Sequence, residues 1–222
     1  MKDADRRLVA VAGTQRQVFT RGQARAAGLT DSDIHRRVAS GFLVAHGPHT
    51  LHFGGATLDW RGRLQAGLLD LGAGAAVSGR SAAALHRLDG FVEGPIEFLV
   101  PRGARNRLAV GVVTSSRTLG PLDVATVDGL RTTSATRTIL ELVGRVSDRE
   151  LGNAIDSACR LGLTAPDVLR RRMVQIGRRG RAGVAAFELV MAVGGVQSWL
   201  ERQFLHLIEG TGLPPHPEVV AL

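Results

Sequence analysis

Three kinds of side chain are spaced so that they could do chemistry: arginines in acid-free runs, histidines at every third position of one segment, and a serine among small residues. Arg102, Arg105, Arg107 and Arg117 fall within 101–118 without an acid, and Arg170, Arg171, Arg172, Arg178, Arg179 and Arg181 fall within 170–181 in the same way. Residues 1–55 add eight basic side chains against four acidic ones. One such run would be an ordinary solvated helix face or loop; three in one chain favour a polyanion whose phosphates the guanidinium groups neutralise.

His46, His49 and His52 invite a metal reading. In a strand, 46 and 52 share one face while 49 takes the other, and no fourth ligand stands nearby, so a zinc site is not expected and no cofactor is assigned. Histidines of a hairpin facing solvent or a DNA backbone fit better. Gly79-Arg80-Ser81-Ala82-Ala83 follows a strand-like run and opens a helix, the context of a nucleophile elbow, with alanine in place of the last glycine. No acid is singled out to pair with His206 or His216, so Ser78 or Ser81 is read instead as a helix cap. Gly72 and Gly74 lack a third glycine in register, and no Gly-Lys-Ser/Thr run exists, so a nucleotide phosphate cradle is not supported.

The composition narrows the setting. The 222 residues carry a formal charge of +8, which suits association with an anionic partner. The lone Cys159 cannot form an internal disulfide. Acids at Asp3 and Asp5 and the lack of a long apolar run argue against a signal peptide or a membrane span, and a cytoplasmic protein is expected.

The elements that must position these groups can be read from periodicity. Leu8, Val11 and Ala12 mark one helical face; Thr20 caps a second helix that stops at Gly28. Thr30 with an acid three residues later starts a third helix, whose buried stripe is Ile34 and Val38 and whose end is Ser40-Gly41. Two β-prone runs around Gly47-Pro48 then read as a hairpin. Three short helices and a hairpin make a winged helix-turn-helix over residues 1–54. Residues 55–192 read as an α+β region: strands near 75–77, 96–100, 108–115, 123–127 and 130–132, with Asp128-Gly129 as a tight turn, then helices near 134–144, 147–161, 164–176 and 181–192. Composition changes at Gly54-Gly55, and the two parts are expected to be separable.

The helix-turn-helix, the hairpin, Val77-Ser78-Gly79-Arg80-Ser81-Ala82-Ala83-Ala84-Leu85, Phe98-Leu99-Val100-Pro101 and above all the run from Asp128-Gly129-Leu130-Arg131 through Ser134-Ala135-Thr136-Arg137 to Leu142 resemble the AbiEi-type antitoxin family of actinobacteria. The resemblance covers about residues 5–192. It implies a winged helix that binds the promoter of its own operon and a second domain that, in type IV toxin-antitoxin pairs, counteracts a nucleotidyltransferase-like toxin. The chain departs from the family's hairpin at Ala45, where the family carries arginine, at His49 for glycine and at Leu51 for tyrosine. Thr133 or Ser134 is expected to cap the helix that follows, with Arg137 and Glu141 as a helix-surface pair at i and i+4.

Residues 193–222, with Trp199, Glu201 and Gly212-Leu213-Pro214, resemble the opening of an endonuclease domain of the very-short-patch repair type, without the strands that bring its remaining metal ligands. The expected function is therefore a DNA-binding transcriptional regulator and not an enzyme; a relic metal-dependent endonuclease with a DNA-binding head is the alternative. The expected contacts to double-stranded DNA are Arg21, Gln23 and Arg25, then Ser32, Asp33, His35, Arg36 and Arg37 on the recognition helix, then His46 and His49 in the hairpin.

Overall fold

The computed structural model describes residues 3–104 and 110–176, together with Phe187 and Met191. The architecture is mixed α+β, with eight α-helices and two sheets among the described residues. The chain divides into two compact units, residues up to 85 with 92–134, and residues 86–91 with the chain from 135 onward. The junction at Gly54-Gly55 lies inside the first unit.

The first unit begins with α1 (Asp3–Thr14), β1 (Val18–Thr20), α2 (Arg21–Ala26), α3 (Asp31–Ala39), β2 (Leu43–Ala45) and β3 (Thr50–Phe53). Both short helices start on a capping box, Thr20 with Gln23 and Thr30 with Asp33, so each satisfies its own first backbone donors. They stop where the chain must turn left-handed, at Gly28 (φ +107°) and Gly41 (φ +74°). Leu8, Ala12, Phe19, Ala24, Ile34, Leu43 and Leu51 meet in one core beneath these elements. Each large member contributes roughly 1.5–3 kcal/mol on burial, more than such short helices could supply alone.

Val18 and Phe19, which precede the Thr20 cap, form a strand of their own. It pairs antiparallel with β3, Phe19 opposite Leu51, so the hairpin becomes a three-stranded sheet of order β1-β3-β2. A β-branched and an aromatic residue next to a hydrophobic strand gain cross-strand packing that no local signal reveals.

The helix α4 (Trp60–Leu71), capped by Asp59, packs against β1 and β3 and also against the second sheet. That sheet is built from β4 (Ala76–Val77), β5 (Glu97–Pro101), β6 (Val112–Ser116), β7 (Val124–Val127) and β8 (Leu130–Thr133), in the order β6-β5-β4-β8-β7. Pairing is antiparallel for β4/β5 and β7/β8, parallel for β5/β6 and β4/β8. The β7/β8 turn puts Asp128 (φ 50°) and Gly129 (φ 74°) both in the left-handed region, as a two-residue hairpin of this hand requires. Close approach at Gly67 lets α4 reach the sheet: a Cβ there would lie 2.3 Å from the Phe98 ring. Trp60, Leu64, Val77, Ala82, Leu85, Phe98 and Leu130 fill the space between.

In the second unit, α6 (Ala135–Leu142) packs on α7 (Asp148–Arg160) and α8 (Pro166–Gln175). Arg137 and Glu141 do pair across one turn of α6, at 2.6 Å, but they are not on the surface: the Arg137 side chain is 0% exposed and that of Glu141 13%. Ile139, Leu140 and Leu142 share this helix, and its arginine is enclosed with them. The helix expected at 181–192, apart from helical Phe187 and Met191, and the endonuclease-like stretch read at 193–222 with Glu201 lie outside the described residues. No helix among the described residues is long and apolar enough to cross a membrane.

Candidate nucleic-acid interface

Helix α3 has a single fully buried residue, Ile34, and turns Ser32, His35 and Arg36 to solvent. Its first turn is acidic and its last turn basic, which suits the helix dipole but leaves each cation beside an acid. Arg36 is 70% exposed and pairs with Asp33 one turn earlier. Asp33 is fully employed: one carboxylate oxygen accepts from the Thr30 backbone N–H and hydroxyl, the other from Arg36. The Thr30 hydroxyl and backbone N–H, and then the Arg36 charge, hold the Asp33 carboxyl below the usual aspartate range.

Arg37 differs from expectation. It turns away from Ser32 and Arg36 to pair with Asp5 of α1, the two side chains 14% and 11% exposed, and its guanidinium also lies 5.3 Å from the Phe42 ring centroid. A pair this enclosed fixes α3 against α1, and its arginine does not present to a groove. Gln23 is likewise a structural residue: its side chain accepts from Thr20 N and exchanges hydrogen bonds with Gln15.

The flanks of α3 bring the remaining residues together. Arg25 on α2 reaches Asp31 at the start of α3, Nε to Oδ1 2.8 Å. One helical turn earlier, Arg21 donates its Nε to the Pro48 carbonyl at 3.2 Å, and its backbone N–H donates to the His49 carbonyl at 2.8 Å. The β2/β3 turn, α2 and the start of α3 thus lie edge to edge. His49 is exposed in that turn, whereas His46 is half-buried.

His46 stands beside His52, their rings 6.5 Å apart, with Asp70 and Arg63 also acting on it. Burial first, then the neighbouring His52, lowers its pKa from 6.5; Asp70 pulls the other way and Arg63 lowers it further. The folded state therefore favours neutral His46, so this contribution to stability is complete above the ordinary value of 6.5 and is lost as the pH falls through the depressed one. His46→Gln should flatten the decline of the melting temperature below that pH, followed by circular dichroism. An unchanged slope would count against it.

Asp70, near the end of α4, carries no motif and was not expected at this surface. Its carboxylate accepts from the His49 backbone N–H and from the Thr50 hydroxyl, both at 2.8 Å. Only its place on the α4 face that meets β3 could have pointed to it.

The other cationic runs are placed differently. Arg102 and Arg117 are exposed next to β5 and β6, while Arg105 and Arg107 lie outside the described residues. On α8, Arg171 pairs with Asp167 and Arg172 with Gln175, and Arg178, Arg179 and Arg181 lie outside the described residues. Ser81 is engaged within the fold. It is buried, its hydroxyl donating to the Pro95 carbonyl and accepting from the Glu97 N–H, which anchors β5 to α5 (Gly79–Leu85). Among the described residues no three His, Cys, Asp or Glu side chains cluster as metal ligands would.

No family model matches the chain, and neither does any curated protein. Among solved structures, it is similar to the crystal structure of the RV2827C protein from Mycobacterium tuberculosis, with a TM-score of 0.60 and 21% identity over 88% of this chain and 78% of that one. At that identity the likeness speaks to the fold alone: the chain shares a mixed α+β architecture with a mycobacterial protein.

Proposed function

We propose that residues 1–54 are a winged helix-turn-helix that binds double-stranded DNA, with α3 as the recognition helix and the β2/β3 hairpin as the wing. The observation that carries this reading is α3 itself, a two-turn helix held to the core by Ile34 that offers Ser32, His35 and Arg36 outward. The flanking cations Arg21 and Arg25 support the reading, since arginines beside a recognition helix are the groups that neutralise backbone phosphates. On this reading the chain is a transcriptional regulator of the antitoxin type. The run from Asp128 to Leu142 supports the further step, a nucleotidyltransferase-like toxin as protein partner.

A salt titration of binding to the DNA upstream of the gene, against random duplex, tests the proposal. Log affinity should fall linearly with log salt, by about 0.9 per phosphate neutralised, and the upstream DNA should bind more tightly. Equal affinity for both would remove the regulator, and no binding at low salt would remove the DNA interface altogether. Copurification with a nucleotidyltransferase-like protein encoded next door tests the toxin separately.

A further inference from the structure

The wing turn is tied down from two sides. On one, Asp70 of α4 accepts from His49 N and Thr50 Oγ1 at 2.8 Å each. On the other, the carbonyls of Pro48 and His49 accept from the Nε and N of Arg21. The turn is also shaped around the carboxylate: a Cβ on Gly47 would lie 1.7 Å from Asp70 Oδ2, so only glycine admits the acid there. The contacts form one relay, from α4 through the turn Gly47-Pro48-His49 to the guanidinium at the start of α2.

We infer that Asp70 is a positioning residue for DNA binding, acting through the wing turn to hold Arg21 in the pose in which it meets a phosphate. The inference rests on the proposed DNA interface and extends it to a residue outside the helix-turn-helix. Its physical content is preorganisation. A free arginine must lose rotamer freedom on binding, whereas Arg21 has one nitrogen already fixed and keeps its terminal NH2 groups for an anion.

The test turns on a difference in sign. Asp70 carries a negative charge near a polyanion, so removing it would tighten binding if only its charge mattered. Positioning demands the reverse. Asp70→Ala in the full chain should weaken binding to a random DNA duplex about fivefold, the scale of one or two lost hydrogen bonds. It should also reduce the salt slope by up to about one, which a purely structural role in a chain that remains folded would not do. Asp70→Asn keeps an acceptor of the same shape and should bind at least as tightly as the parent chain. In an Arg21→Ala background, Asp70→Ala should cost nothing more. Should Asp70→Ala fail to fold by circular dichroism, Gly47→Ala carries the same test, because its methyl group displaces the carboxylate. Binding by Asp70→Ala or Gly47→Ala as tight as the parent's, or losses additive with Arg21→Ala, would overturn the positioning role alone. A parent chain that binds no duplex at low salt would overturn the DNA reading beneath it.

Discussion

Arg137→Ala should lower the unfolding free energy by about 3–5 kcal/mol, enough to take a large share of the margin of an ordinary domain. The expectation follows from burial. Arg137 is wholly enclosed and faces Glu141 at 2.6 Å, so truncating it strands a carboxylate that is itself only 13% exposed. The same logic sets the control. Replacing both partners by apolar side chains, as Arg137→Met with Glu141→Leu, removes the stranded charge and should recover much of the loss. Denaturant unfolding of the three chains is the measurement. A loss below about 1 kcal/mol for the single variant would be the value of an exposed pair and would contradict the burial.

Arg36→Ala should have the largest effect on sequence preference. A bidentate arginine-guanine contact is worth about 1–3 kcal/mol of discrimination, or roughly ten- to a hundredfold. Arg36 is the exposed cation of α3, and its pairing with Asp33 aims the guanidinium before any base arrives. Asp33 cannot itself act as a free acceptor for a base without giving up the helix cap, since Thr30 occupies its other oxygen. Selection from a randomised duplex pool should therefore show one strongly preferred guanine with the parent chain and a flattened position with the variant. Affinity for random duplex should change less. If the two selected motifs coincide, Arg36 is a phosphate contact or none.

Local signals made much of the first fifty residues legible. Thr30 with Asp33, Thr20 with Gly28, and Gly41 each specify a helix end through interactions within a few residues, and the structure places those ends within one or two positions of the reading. Asp128-Gly129 was equally plain, because a two-residue turn with both φ positive admits few side-chain types. What escaped was set at a distance. β1 exists because β3 pairs with it across more than thirty residues, and Arg37 is drawn off the exposed face by Asp5, 32 positions earlier. The i, i+4 spacing of Arg137 and Glu141 announced a pair without saying whether water would reach it. Asp70 belongs to the same class: its role depends on a turn twenty residues away, and an acid on an amphipathic helix has no periodicity of its own.

The strand order of the second sheet bears on how this chain is made as well as on what it is. β4, two residues long, lies between β5 and β8, and its parallel neighbour is the last strand among the described residues, Val77 opposite Thr132. During synthesis β4 and β5 can pair early, but until Leu130 to Thr133 have left the ribosome the other side of β4 stays open, with Ala76 and Val77 at its rim. An apolar half-sheet of this kind is the sort of nascent surface that attracts neighbouring chains and the chaperones that shield them. The sheet therefore closes late, so a ribosome that pauses once Pro101 has emerged but before Leu130 has would hold it in its stickiest form.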